Sequence, residues 1–496
     1  MDSVALPDIR APCPIDRLPM ELLSKIFSET KTLQSGSHKK EACPILCPIS
    51  TSHVCRRWRS ISLASPLLWT DLYISHSHKH LARIDAFLER SASQLLDITI
   101  RWCPYDSNIG MGHWPRSTSV VGAKERRFTR IFDKLIVHLA RWHAFDFSTD
   151  TWWLMLHVFD IRDAAPALRQ LRLDILPSMA VGSGPSPMAT NYPPFGGALQ
   201  QLQSLYIGNV PLDWSRCTFA DLRSLVLLED QRSLNCHPSE FLRIISSSPA
   251  IKSLYLSLRD YPQDAMPVEL PMVESLTILT MHQEEFIKLL SVPRIRGLEL
   301  RIMGHAINEA VDALTEPRLP LCRPLIQPLL AMRLSCLECT AERRHALYSS
   351  LPNLRLLDLQ EHGFLYHTTF AEDMIHPDRI APVGANTDVY MPHLSTVILM
   401  QTDWSLLRQL VETRRAAGVP LRKLVIYDRD VSGDEAAWLA ENLETLASMP
   451  LPGYLSFRPA LLLDWLDFEA ARPGTWEFED ACSRIGCVPY RGSADH

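Results

Sequence analysis

A short apolar pattern recurs along most of this chain, with two residues between its first two apolar positions and one between its last two. No other feature restricts the fold as much. Clear copies are Leu168/Leu171/Leu173, Leu202/Leu205/Ile207, Leu222/Leu225/Leu227, Ile251/Leu254/Leu256, Val273/Leu276/Ile278, Ile295/Leu298/Leu300, Leu354/Leu357/Leu359, Leu394/Val397/Leu399 and Leu421/Leu424/Ile426. Weaker copies stand at Leu95/Ile98/Ile100, Trp142/Phe145/Phe147 and Leu334/Leu337/Cys339. The last two apolar residues of each copy flank one polar or long residue, which is the period of a strand. Proline precedes many copies, at Pro249, Pro271, Pro293, Pro352, Pro392 and Pro420, and stops any helix that came before. Helical runs lie upstream of these prolines: Phe241 to Ile245, Phe286 to Leu290 and Leu406 to Val411. The unit is therefore helix, turn, short strand, repeated every ~20 to 30 residues.

Units of this kind stack their strands into one parallel sheet, and their extended concave face is the usual binding surface. The pattern resembles irregular leucine-rich repeats. It departs from them where an Asn or Cys should follow the final apolar residue: Arg259 and His362 hold that position in two clear copies. An uneven solenoid is expected. Its candidate target-binding residues are the outward side chains between strand leucines, namely Tyr206, Tyr255, Glu299, Asp358 and Ile398. Tyrosine is enriched at interfaces.

The N-terminal region follows a different rule. Pro19 suits a first helical position, and Glu21 then faces the positive end of the helix dipole. Leu18, Leu22 and Ile26, with Leu23 and Phe27, give a short helix a broad apolar face. Val54, Trp58 and Ile61 repeat at helical spacing, with Arg56, Arg57 and Arg59 on the other sides, and Pro66 ends that run. A few short helices bury little surface alone. Such a unit is either part of a larger core or the seat of a partner.

The order Leu18-Pro19, Glu21-Leu22-Leu23, Ile26-Phe27, then Val54-Cys55-Arg56 with Trp58, then Pro66 with Leu68-Trp69, resembles an F-box of a type common in fungal proteins. The match covers about residues 13–70. The resemblance implies docking to a Skp-type adaptor within a cullin-based ubiquitin ligase of SCF type. Leu18, Pro19, Leu22, Ile26, Phe27, Val54 and Trp58 are the positions that would face the adaptor or shape the module. One departure is a longer polar connector between the helical signatures, about residues 30–48; surface loops tolerate such insertions at small cost.

The expected fold class is mixed α/β: a small all-α module, then an irregular solenoid with a curved parallel sheet. The expected division is a tail at about 1–12, the helical module at about 13–70, connecting helices and first weak repeats at about 71–160, the repeat domain at about 161–430, and a helical cap and tail at about 431–496. Insertions are expected at about 104–125, 178–197 and 361–391; surface loop is the ordinary reading for each.

The rest of the sequence works mainly by exclusion. The formal net charge is −6 and no long basic run is present, which argues against broad nucleic-acid binding. No apolar run approaches the ~18 residues of a membrane span, and the start lacks the pattern of a signal peptide. A cytoplasmic or nuclear protein is expected, with its twelve cysteines as reduced thiols. No metal or cofactor is expected. Cys336 and Cys339 form a lone pair in a repeat position. The group Cys43, Cys47, His53 and Cys55 conflicts with the F-box helix, and His362, His367, Asp373 and His376 have irregular spacing. No nucleophile elbow, Gly-rich phosphate loop or dinucleotide fingerprint appears. The leading expectation is a non-catalytic substrate receptor that holds an unknown protein target. Two alternatives stand behind it: an F-box scaffold without ligase output, and a hydrolase or metal enzyme that no motif supports.

Overall fold

The computed structural model describes residues 14–36, 46–76, 81–103, 118–176, 193–210, 212–228, 236–258, 260–262, 265–280, 282–301, 307–317, 323–335, 339–359, 367–382, 389–399, 403–427, 434–449, 462–473, 475–485 and 487–489. It opens with three helices, α1 (Met20–Gly36), α2 (Leu46–Val54) and α3 (Arg56–Leu63), followed by a 3-10 turn, Pro66–Trp69.

One sheet then runs through the remainder of the molecule. Its strands are β1 (Asp71–Ser75), β2 (Leu96–Trp102), β3 (Trp142–Thr149), β4 (Gln170–Ile175), β5 (Ser204–Gly208), β6 (Ser224–Leu228) and β7 (Ser253–Ser257). A two-residue strand, β8 (Val268–Glu269), leaves the sheet to pair with β10 (Leu290–Ser291). The main sheet continues with β9 (Ser275–Ile278), β11 (Gly297–Leu300), β12 (Ala331–Leu334), β13 (Leu356–Leu359), β14 (Thr396–Leu399), β15 (Lys423–Tyr427) and β16 (Thr445–Met449). All of these pair in parallel with their sequence neighbours, and a short antiparallel strand, β17 (Val488–Pro489), covers the edge of β16. Parallel neighbours need crossover connections, and the intervening helices supply most of them.

The register explains the sequence pattern. Leu171, Leu205, Leu225, Leu254, Leu276 and Leu298 stand opposite one another on β4 through β11, and Met332, Leu357, Val397, Leu424 and Leu446 continue the row. This face carries the main core, shared with helices such as Pro238–Ser246, whose Phe241, Ile244 and Ile245 are buried. The helix Trp404–Ala416 shows how a unit ends. Gly418, at φ 76°, turns the chain and donates its N–H to the Arg415 carbonyl at 3.0 Å, and Val419 bonds back to Arg414. A left-handed residue there favours glycine, and Pro420 prevents the helix from resuming.

Every clear copy of the pattern is a strand, as are the weaker copies on β2 and β3. The third weak copy is corrected. The strand is Ala331–Leu334, which fits Leu329/Met332/Leu334; Met in the leucine position hid it. The sheet also extends past both ends of the 161–430 interval. Trp69/Leu72/Ile74 opens it at β1, and Leu443/Leu446/Ser448 closes it at β16, where serine replaces the last apolar residue. Two expected insertions prove partly helical: Thr118–Ile136 and His367–Ile375. Residues 104–117, 177–192, 361–366 and 383–388 lie outside the described residues, as do 336–338 and 37–45.

Candidate functional site

In the N-terminal unit, α1 carries more apolar side chains than it buries. Leu23 and Phe27, one turn apart, are buried in the core. Met20, Leu22 and Ile26, on the same helix, keep 61%, 48% and 40% of their surface exposed. The helix starts where the sequence places it: Leu23 donates its N–H to the Pro19 carbonyl at 3.1 Å, and Glu21 lies in the first turn.

The second signature splits in two. Val54 ends α2, and Cys55 adopts an extended conformation before α3 begins at Arg56. The Cys55 sulfur caps α3 by accepting from the Trp58 N–H at 3.4 Å. Val54 and Trp58 therefore do not share a helix, contrary to the periodicity. Val54 is 60% exposed, whereas Trp58 is half-buried and tilts onto Phe27 with ring centroids 4.8 Å apart. Ile61 is buried, and Arg57 donates to the Leu18 carbonyl, tying α3 to the start of α1.

The structure thus sorts the sequence-derived residues. Leu22, Ile26 and Val54 present apolar surface, with Pro19 exposed beside them. Phe27 is wholly buried, and Leu18 and Trp58 pack against the core, so these three shape the unit. Three exposed apolar residues went unassigned from sequence: Met20, Leu63 and Leu67. Leu67 could have been found, since it sits between Pro66 and the buried pair Leu68 and Trp69. Of the ten large hydrophobic side chains exposed among the described residues, six fall between Met20 and Leu67. Single exposed leucines are ordinary; contiguous exposed apolar patches are the kind of surface that interaction sites use.

The unit is anchored firmly to the sheet. Trp69 donates its indole N–H to the Ser62 carbonyl at 2.8 Å and packs edge-on against Phe87 at 5.0 Å. Arg90 lies over its other surface, 4.4 Å from the ring centre. β1 begins two residues later.

The candidate target-binding row requires a correction. Tyr206, Tyr255, Glu299, Asp358 and Ile398 do share the sheet face opposite the main core, and registered pairs connect them through Val226, Thr277 and Arg333. All five are buried rather than exposed. Their cover comes from two sources. Tyr206 and Tyr255 pack around Val226 in a small cluster. Ile398 belongs to a second core with Leu356, Val425, Tyr427 and Ala447, closed by Trp465 and Phe468 of helix Leu462–Ala470 and by Phe478 and Ala481 of helix Trp476–Ile485. Strand periodicity gives the face on which a residue lies, but not whether a distant segment folds back over it.

Glu299 and Asp358 survive burial by pairing. Arg333 lies between them, 2.6 Å from Asp358 and 3.4 Å from Glu299. Arg301 donates to Glu299 at 3.0 Å, and the Tyr427 hydroxyl to Asp358 at 3.3 Å. Burial pushes the Asp358 carboxyl upward, with Arg333 opposing it. Burial alone would lower the Arg333 guanidinium, but the two carboxylates outweigh it and hold it above its ordinary value.

On β2 to β4 the central row of the same face is partly open. Arg101 grips Asp146 through two bonds of 2.6 and 2.5 Å. Arg172 stacks on Tyr206 at 3.8 Å and donates to Asp174 at 3.2 Å. Arg101, Asp146 and Arg172 each keep about a quarter of their side-chain surface exposed, at 25%, 26% and 25%. These groups pair with one another and lack the pairing of nucleophile and base that acyl transfer requires. Among the described residues no group of three or more His, Cys, Asp or Glu side chains is placed to hold a metal ion. No described helix is long and apolar enough to cross a membrane.

A search of curated proteins finds none that matches this chain. The trihelical unit, with the first strand it feeds, does match a known family: residues 15–75 match the F-box-like family.

Proposed function

We propose that this chain is the substrate-recognition subunit of an SCF-type ubiquitin ligase. The F-box-like domain would bind a Skp-type adaptor, and the repeat sheet would hold a protein target. One observation carries the adaptor half of this reading: beside the buried Leu23 and Phe27, α1 keeps Met20, Leu22 and Ile26 largely exposed, at 61%, 48% and 40% of their surface, uncovered to that extent by the described residues. Full burial of an aliphatic side chain is worth roughly 1.5–3 kcal/mol, so an adaptor that covers these three with Val54 and Leu67 gains a substantial driving force. F-box domains typically meet Skp-type adaptors of cullin ligases. The chain itself would perform no chemistry. It would raise the local concentration of target lysines near a charged conjugating enzyme. This reading places the protein in the cytoplasm or nucleus.

The test is co-expression with a Skp-type adaptor, followed by affinity measurement. Leu22→Ala and Ile26→Ala should each weaken adaptor binding by roughly five- to thirtyfold while leaving stability within about 0.5 kcal/mol of the parent. Val137→Ala, at another exposed apolar residue, should change neither. Failure of the intact protein to bind any Skp-type adaptor would overturn the proposal. If the adaptor binds but captured partners are not ubiquitinated in a reconstituted ligase, the receptor role falls and a scaffold remains.

A further inference from the structure

The repeat lines up a second set of residues that the strand pattern does not use. The residue just before each strand, the first spacer of the apolar pattern, stands beside its counterpart in the next repeat. Backbone hydrogen bonds of 2.7–2.9 Å connect Arg169, Gln203, Arg223, Lys252, Glu274, Arg296, Leu330 and Arg355 in that order, each N–H donating to the carbonyl before it. This row holds five cations and one carboxylate in a chain of net charge −6.

The cations differ in what they already hold. Arg169 donates to the Gln201 carbonyl at 3.0 Å. Arg296 is exposed and lies 3.7 Å from Glu274, a long pair. Further along, Arg422 is fully taken by Glu444, with two bonds of 2.7 and 2.8 Å. Arg223, Lys252 and Arg355 are exposed, and their side chains have no partner among the described residues. Neighbouring strands are about 4.8 Å apart, so the row from Arg169 to Arg355 extends about 34 Å. An extended peptide of ~10 residues has that length.

We propose that this row docks an extended acidic segment of a protein target. The choice of a peptide over a nucleic acid follows from the row itself. Glu274 interrupts it and would repel a uniform polyanion, and Leu330 adds an apolar, half-buried position. A peptide can place a basic or neutral residue opposite Glu274 and an apolar one opposite Leu330, whereas a phosphate backbone cannot. The biological use of the row rests on the receptor reading above; its binding chemistry can be measured without it.

The experiment uses the full chain in complex with its Skp-type adaptor, or alone if no adaptor binds. The probe is a fluorescent peptide of ~12 residues alternating Glu and Ser, with Gln–Ser and Lys–Ser peptides of equal length for comparison. The acidic peptide should bind at least tenfold tighter than either, and its affinity should fall as salt rises from 50 to 300 mM. Arg223→Glu with Lys252→Glu should weaken it about tenfold or more, with adaptor capture unchanged. Arg130→Glu, on an exposed face of helix Thr118–Ile136, should leave it unaffected. Equal binding of the three peptides, or an undiminished affinity in the double variant, overturns the proposal. So does a single-stranded oligonucleotide of similar length that binds tighter than the acidic peptide. Loss of adaptor capture with peptide binding intact would remove the receptor reading and leave the acidic site standing.

Discussion

The two halves of the sheet's outer face occupy the same geometry with opposite chemistry. In β1 to β4 the central row is Tyr73, Thr99, Asp146 and Arg172, all partly exposed. In β14 to β16 the same row is Ile398, Val425 and Ala447, all buried beneath the C-terminal helices. Apart from one register shift between Leu96 and Asp97 on β2, the pairing keeps this row in line, so the difference lies in the side chains. An apolar row on an outer face records that something covers it; the partly exposed polar row of β1 to β4 is left uncovered by the described residues. The middle, from Glu299 to Asp358, is the seam where charge continues under cover and must be paired within the protein.

The largest test exchanges the two chemistries at one register position. Val425→Arg would force an unpaired charge beneath Trp465 and Phe468 and should destabilise the protein by about 4 kcal/mol or more, or prevent folding. Thr99→Arg, the same position on the open half, should stay within about 0.5 kcal/mol. Urea unfolding of both variants measures the contrast, and equal costs would mean that the C-terminal helices do not seal the face.

A smaller contrast separates the two arginine networks. Removing Arg333 strands Glu299 and Asp358 without their shared cation in a buried site, and Arg333→Ala should cost about 3–5 kcal/mol. Arg101→Ala breaks a pair that solvent still reaches and should cost about 1 kcal/mol. Added salt should narrow the effect at Arg101 and leave that at Arg333 almost unchanged. If both substitutions cost the same, burial does not distinguish the seam from the open face.

The repeat was legible because its period is local: each strand shows its own leucines within six residues. Two of the copies that escaped notice departed from that local rule, with Met332 in one and Ser448 in another; Trp69/Leu72/Ile74 fits the spacing but stands where the helical module ends. The helical module was legible for the same reason. The division of its residues was not, because an apolar residue on a short helix looks alike whether it faces the core, as Phe27 does, or solvent, as Ile26 does. Least legible was the cover over Asp358 and Ile398. It is supplied by the helices Leu462–Ala470 and Trp476–Ile485, about 60 to 130 positions away in sequence, and no spacing rule connects them. The basic spacers were visible in most clear copies as Arg or Lys after the first apolar residue, at Arg169, Arg223, Lys252, Arg296, Arg355 and Arg422. They gained meaning only when backbone pairing set those residues side by side.

The smallest expected effect concerns the residue that holds the cover in place. Lys423 stands on the outer face of β15, buried, and its ammonium donates to the carbonyls of Phe468, Glu469 and Ala471 at 2.5, 2.8 and 2.5 Å. These are the last carbonyls of helix Leu462–Ala470 and its exit, which the helix leaves without internal partners. The Phe468 and Phe478 rings flank the ammonium at 4.9 and 5.4 Å. Burial lowers its pKa from an ordinary 10.5 to about 8, while nearby Glu469 opposes the shift. Between those two values the unfolded chain binds more protons than the folded one, so this group's contribution to stability rises with pH across that window and is lost as pH falls through about 8. Lys423→Met keeps most of the side-chain volume, removes the titration and leaves three carbonyls short of a donor. The variant should be less stable by about 1–3 kcal/mol, and the gap to the parent should widen from pH 8 to 10.5. A gap that stays constant with pH would show that the ammonium keeps its proton throughout, held by the three carbonyls more strongly than burial opposes it.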